Sequence, residues 1–356
     1  MSTHPFRFGV VTGQARSAEE WVAKARRAEA LGFSSFLIPD TLGQTFAPFP
    51  ALAIAAAATH SIHVGTYVLA NDHRNPVLVA RESATLDVLS GGRFELGLGA
   101  GRPGVEEDFR KLGIPFDSGG VRVDRLAEAL HIIKTLLSGQ IADASGPYYA
   151  VAGADGFPKP AQQPRPPIML AASGKRLLAL AAREADIVAL AVPPLEGQAA
   201  LKEKIDWLRE SAGDRFPALE LNSNLTAVGD QLPEWIARRM NITIQQLIEA
   251  DSPSALTGDA DHMCRQLLDR RAALGISTSP QAICLWMCLR RWLSGWLVSS
   301  SLSIVRSLSL NVQRSAFSVR RSLIDRQRHF RRLLPREVRG LARPGCAQRG
   351  AQRGVG

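Results

Sequence analysis

Seven times within residues 1–276, a short β-rich run is followed by an amphipathic helical run. Strands joined through helices lie parallel, because the crossover carries the chain back to the end of the sheet where it started. The pattern predicts strands at 6–11, 33–39, 62–69, 94–98, 168–172, 186–192 and 219–228. Ser17 reads as the N-cap of the first helix, with Glu20 three residues on completing a capping box. Gly32 stops that helix, and Gly91-Gly92 stops the third. Two segments break the rhythm. Residues 108–117 are expected to fold over the end of the sheet, and 148–167, rich in Pro and Gly, to form an irregular hairpin or loop. A doubly wound sheet alternates in the same way, but seven units in about 250 residues fit an α/β fold of the (β/α)8 TIM-barrel type.

The eighth unit is due at Gly275-Ile276, and the sequence there does not read as one. After Ser277 the alternation stops. Ten serines fall between Ser294 and Ser322, and Trp286, Trp292 and Trp296 crowd into the same stretch. From Leu285 to Gly356 there are 15 Arg, no Lys and only two acids, a net charge of +13. The whole chain carries +10, so residues 1–284 carry −3. The body is therefore mildly acidic, and the basic character belongs to the tail. The expected organisation is a barrel domain over 1–276 and an atypical, poorly ordered Arg/Ser-rich extension over 277–356. An abrupt loss of Lys reads as translation in a different reading frame, with a natural basic extension as the other reading. Loss of the eighth strand would leave a gap in the barrel wall and an inactive, truncated product.

These properties restrict the function classes. A basic tail can hold nucleic acid or an acidic membrane surface, but no nucleic-acid-binding motif accompanies it. Neither a specific nucleic acid nor a membrane is the expected partner. The four cysteines (Cys264, Cys284, Cys288, Cys346) form no zinc pattern and no disulfide framework. With no apolar leader in residues 1–10, the expected compartment is the cytoplasm.

In a parallel barrel the site lies at the C-terminal ends of the strands. After the second strand comes Asp40, able to hydrogen-bond a ligand or to serve as a turn residue. After the third come Asn71 and His73, candidates for catalysis, His73 as an acid, a base or a donor. After the fourth, Gly97-Leu98-Gly99-Ala100-Gly101-Arg102 would let a ligand approach the backbone. After the fifth, Ser173-Gly174-Lys175 opens a helix, where free N–H groups, a hydroxyl and a cation suit a phosphate.

The block Arg74-Asn75-Pro76, Leu86-Asp87, Leu89-Ser90-Gly91-Gly92-Arg93 and Leu96-Gly97-Leu98-Gly99-Ala100-Gly101 resembles the bacterial luciferase-like superfamily, and within it the coenzyme F420-dependent oxidoreductases. Phe8-Gly9-Val10, Glu29-Ala30-Leu31-Gly32-Phe33 and Leu112-Gly113-Ile114-Pro115-Phe116 extend the likeness. The resemblance implies a luciferase-like (β/α)8 barrel holding a flavin-like ring at its mouth, F420 or alternatively FMN, with a small-molecule substrate stacked on the ring. It implies a homodimer. It also implies a non-prolyl cis peptide at a bulge after the third strand, matched to Leu69-Ala70-Asn71, which backs the ring. Asp40, Gly99, Ala100 and Gly101 would contact the cofactor; Ser173, Gly174, Lys175 and Arg102 would hold its phosphate and acidic tail. The enzyme expected is an F420-dependent oxidoreductase, or a reduced-FMN monooxygenase on the same barrel. Sugar-phosphate dehydrogenases of this branch carry a His directly after the Asp and a downstream Glu motif. Here Thr41 and Arg102-Pro103-Gly104-Val105 stand in those places, so a sugar phosphate is not the expected substrate.

Overall fold

The structure is a computed structural model, and residues 4–282 are described. Eight parallel strands form the barrel: β1 (Arg7–Val11), β2 (Ser35–Ile38), β3 (His63–Thr66), β4 (Phe94–Gly99), β5 (Ile168–Ala172), β6 (Ile187–Leu190), β7 (Glu220–Ser223) and β8 (Ile276–Ala282). Each pairs with the next, and β8 pairs with both β7 and β1, so the ring closes. The eighth strand that the sequence hid is present. Its register runs from Arg7↔Thr278 to Val11↔Ala282, and the expected gap is absent. The Arg-rich extension beyond residue 282, with its proposed frame change, lies outside the described residues.

The connecting helices are α1 (Ala18–Ala30), α2 (Pro48–Ala58), α3 (Pro76–Ser90), α4 (Gly119–Leu137), α5 (Lys175–Glu184), α6 (Gln198–Ala212) and α7 (Ala260–Leu274). Ser17 caps α1, its hydroxyl accepting from the Glu20 N–H at 3.2 Å. The reciprocal half of the expected capping box is replaced: the Glu20 carboxylate accepts from the Arg16 N–H at 2.9 Å. Gly91, at φ 70°, ends α3 in the left-handed region that glycine tolerates. Residues 106–112 of the expected mouth segment form a short helix, and the irregular region holds an antiparallel hairpin, Ala142–Ser145 with Ala150–Ala154. Beyond β7 the chain forms a separate parallel pair, Ala227–Val228 with Ala255–Leu256, so the long strand expected over 219–228 is two.

Alternation along β4 shows how the layers are made. Phe94, Leu96 and Leu98 point outward into the core between sheet and helices, and all are fully buried. Each such side chain contributes roughly 1.5–3 kcal/mol of burial. Glu95 and Gly97 point the other way, into the barrel. At its lower end Arg7 pairs with both Glu95 and Glu220. Burial opposes ionisation of both acids; His63 and Arg7 nonetheless hold Glu95 below its ordinary range, whereas burial leaves Glu220 above its own. Above this charged floor Met169, Ile187 and Ala189 fill the barrel, with Tyr67 and Val68 packed on them. The interior is a packed plug with its open end at the strand C-termini.

Candidate cofactor site at the barrel mouth

Asp40 follows β2 by one turn residue and reaches across to the chain after β3. Its Oδ2 accepts from the Ala70 N–H at 3.2 Å and from Arg74 Nη1 at 2.5 Å, while Oδ1 accepts from Arg74 Nη2 at 3.2 Å. This carboxylate is therefore engaged on the protein side, tying β2 to the bulge. Sequence reasoning quoted Arg74 as part of a motif and missed its partner.

The non-prolyl cis peptide is Tyr67–Val68, two residues before the segment matched to it. Leu69 instead lies wholly in the core, and Leu69–Ala70 resumes parallel pairing, Leu69 with Leu98 and Ala70 with Gly99. The bulge explains the glycines of β4. A Cβ at Gly97 would sit 2.1 Å from the Thr66 carbonyl oxygen, and one at Gly99 2.8 Å from Val68 Cγ2. Thr66 Oγ1 also donates to the Gly97 carbonyl and accepts from its N–H, both at 2.8 Å. Gly97 and Gly99 thus make room for the bulge itself. Ala100 is buried, with its carbonyl accepting from Arg122 Nε at 2.8 Å. Gly101, at φ 77°, turns the chain toward Phe109 and Phe116. Arg102 is exposed and donates to the Pro103 carbonyl.

One 3-10 turn, Asn71–His73, carries both candidate catalytic residues. Asn71 is buried; its Nδ2 donates to Asp72 Oδ1 at 3.0 Å and to the Tyr149 hydroxyl at 3.3 Å. The His73 ring packs edge-on to Phe109 at 5.0 Å between centroids, with Nδ1 3.9 Å from Asp40 Oδ2. Its Nε2 is buried without a hydrogen-bond partner. Burial lowers the pKa of His73 and prevails over the opposing pull of Asp40.

The turn before α5 is open. Ser173, Gly174 and Lys175 are exposed, Gly174 is the N-cap, and no side chain caps the helix. Ser173 therefore does not satisfy these N–H groups, as ordinary capping would have it do. Lys175 Nζ lies 4.5 Å above the Trp207 ring and Lys204 Nζ 5.9 Å from it, with Lys204 donating to the Ser173 carbonyl at 3.4 Å. Sequence reasoning missed Lys204 and Trp207, which α6 brings alongside. It also missed Tyr67 and Asn222, which meet inside the barrel, Tyr67 Oη to Asn222 Oδ1 at 3.2 Å. Burial raises the Tyr67 pKa.

A cleft of about 350 Å³ opens beside the Asn71 turn. Residues 72–75 form one wall, Ile114-Pro115 another, and Arg125 with Tyr148-Tyr149 the third. Arg125 pairs with Asp72 at 2.6 Å and with Asp117, and Arg122 stacks over Phe116 at 3.9 Å. Among the described residues no three His, Cys, Asp or Glu side chains gather as a metal site, and no helix is long and apolar enough to cross a membrane.

The sequence model of the luciferase-like monooxygenases matches residues 1–276. An F420-dependent glucose-6-phosphate dehydrogenase of Beutenbergia cavernae is 35% identical over 167 residues, 45% of this chain and 48% of that protein. An F420-dependent hydroxymycolic acid dehydrogenase of Mycobacterium tuberculosis is 36% identical over 173 residues, 46% and 47% of the two chains. The chain spans about half the length of these curated relatives. Among solved structures, the F420-dependent tetrahydromethanopterin reductase of Methanopyrus kandleri superposes with a TM-score of 0.63 at 19% identity, over 78% of this chain and 93% of that one. A long-chain alkane monooxygenase superposes at 0.65 with 14% identity, over 78% and 87%. At these identities the superpositions speak for the fold. By its closed barrel, its bulge after β3 and the match over residues 1–276, the chain belongs to the luciferase-like monooxygenase family.

Proposed function

We propose that this chain is an oxidoreductase that uses coenzyme F420 to exchange a hydride with a small organic substrate. The observation that carries the reading is the uncapped N-terminus of α5, flanked by Lys175 and Lys204, at the same barrel mouth as the Tyr67–Val68 bulge. Free N–H groups and two cations fit a phosphate, and a packed bulge fits the back of a flat ring. F420 has both features, and when bound it supplies hydride transfer at ring carbon C5. Similarity to two curated relatives named as F420-dependent supports the deazaflavin over FMN.

The chain's own residues then divide the work of binding. Tyr67, Val68 and Gly99–Gly101 set the floor on which the ring rests, and Asp40 with Arg74 fixes that floor by holding Ala70. Ser173, Gly174 and Lys175 hold the phosphate, with Arg102 free to reach an acidic tail. Asn71 presents a buried amide at the mouth, and His73 serves as a positioning residue through Asp40 and Phe109. Residues 106–117 cover the mouth and exclude water.

The fold also supports a second reading, a reduced-FMN monooxygenase, since an alkane monooxygenase shares it. The third reading is an inactive product of a degraded eighth unit; of that unit β8 is in place, and assay of the full chain tests its activity. A homodimer and a cytoplasmic location belong to the proposal, the first tested by light scattering of the purified chain. Equilibrium binding of F420 and of FMN decides between the cofactor readings.

A further inference from the structure

Small side chains and one amide make up a single layer of the barrel interior. Register sets Ala171 of β5 beside Ala189 of β6, and Ala189 beside Asn222 of β7. Gly99 of β4 comes next to Ala171, a Cβ there lying 3.9 Å from the alanine's own. Four neighbouring strands therefore place nothing larger than an asparagine at this level. Tyr67, entering from the bulge after β3, packs with Val68 on Met169, Ile187 and Ala189. Tyr67 and Val68 stay half-buried, whereas Asn222 is fully buried.

As a packing residue Asn222 does not suit these surroundings. Its Oδ1 accepts from the Tyr67 hydroxyl at 3.2 Å, but its Nδ2 is buried with no hydrogen-bond partner among the described residues. An orphaned donor in an apolar layer costs stability, and a leucine, close to asparagine in shape, would avoid that cost. What the amide contributes is its oxygen, and that oxygen holds Tyr67. Burial raises the Tyr67 pKa, so the phenol keeps its hydrogen to donate. Strands β3 and β7 lie four apart in a ring of eight, so the bond ties the bulge to the opposite wall of the barrel.

We propose that Asn222 is a positioning residue for the cofactor: by holding the Tyr67 hydroxyl it fixes the height and tilt of the platform on which the flat ring rests. The inference rests on the F420 oxidoreductase reading and adds a residue to it. Being fully buried, Asn222 acts through Tyr67 and does not touch the ring. The stability lost on the orphaned Nδ2 is then the cost of a fixed platform, a trade found at functional sites.

The test compares the unsubstituted full chain with Tyr67→Phe, Asn222→Leu and the double variant. Three properties are read: the F420 dissociation constant, the absorption band of bound F420, and the midpoint of denaturant unfolding. Each single variant strands one partner, but the double variant replaces both by apolar groups and should unfold at the same denaturant concentration or a higher one. It should nonetheless bind F420 about tenfold more weakly and shift the band of the bound cofactor. Each single variant should weaken F420 by a similar factor, with the double variant little worse than either, because the two residues act as one unit. A stable double variant with unchanged affinity and band overturns the proposal. So does a double variant whose unfolding midpoint falls along with its affinity, which assigns the pair to the fold. F420 binding by the unsubstituted chain with either of these results removes the role of Asn222 alone. No F420 binding by the unsubstituted chain removes the oxidoreductase reading, and this inference with it.

Discussion

Asp40 and Arg74 meet in a two-point ion pair, with oxygen–nitrogen distances of 2.5 and 3.2 Å, and the same carboxylate holds the Ala70 N–H. One side chain after β2 thereby fixes the chain leaving the bulge after β3. Both side chains are largely buried, at 10% and 25% exposure, so the pair is worth more than a surface bridge. Arg74→Ala should cost about 1–3 kcal/mol in denaturant unfolding, the range for leaving a partly buried acceptor unsatisfied, and weaken cofactor binding. Arg74→Lys keeps the charge and loses the fork, so it should recover only part of either effect. Unchanged stability in Arg74→Ala would mean that the pair is incidental.

Gly97 and Gly99 differ from Gly101 in what they make room for. A methyl at Gly97 meets the Thr66 carbonyl oxygen at 2.1 Å, a rigid backbone atom. Gly97→Ala should therefore destabilise by 3 kcal/mol or more, on the order of the upper range for overpacking, or prevent folding. The neighbouring Leu98→Met, similar in volume, should cost less than about 1.5 kcal/mol. Chemical denaturation of the two variants side by side checks the contrast.

Glu29 supplies the clearest pH dependence. Its Oε1 accepts from the N–H groups of His60, Ser61 and Ile62 at 2.8, 2.6 and 3.1 Å. Partial burial opposes ionisation, but these donors prevail and bring the pKa to about 2 from 4.5. A folded pKa below the unfolded one adds stability that is fully present above pH 4.5 and lost as pH falls through about 2. Unfolding midpoints measured between pH 7 and pH 3 should fall for the unsubstituted chain more steeply than for Glu29→Gln. Parallel curves would contradict the assignment.

Much of this architecture was legible in the sequence because it rests on local chemistry. The βα alternation, the Ser17 cap and the Gly91 stop depend on neighbours within a turn or two. Strand β8 was not legible. Residues 276–282 (Ile-Ser-Thr-Ser-Pro-Gln-Ala) lack the hydrophobic run of a buried strand, and their place is set by partners on β1 and β7, more than 50 residues away. The bulge was mislocated for a related reason: Tyr67-Val68 is locally an ordinary strand pair, and only its packing against β4 marks it. The cleft was missed because Arg125 and Tyr149 lie 54 and 78 residues from Asn71 and meet it only in the fold.

The two lysines at the α5 turn make a separate, electrostatic prediction. Lys175 and Lys204 sit at the rim with the Trp207 ring, in water and open to salt. Lys175→Ala should weaken F420 about tenfold, a loss typical of one charge-assisted bond, and reduce the salt dependence of the affinity. Lys204→Ala should do less. An unchanged affinity in both would move the phosphate elsewhere at the mouth.

The most direct test of the central claim is a titration of the purified full chain with oxidised F420 and, separately, with FMN, followed by fluorescence. The account predicts saturable F420 binding at micromolar concentration, lost on replacing Ser173 and Lys175 together, and markedly weaker FMN binding. Tight FMN binding with none of F420 would turn the assignment to the monooxygenase reading. Binding of neither would contradict the cofactor site and leave the family and fold alone.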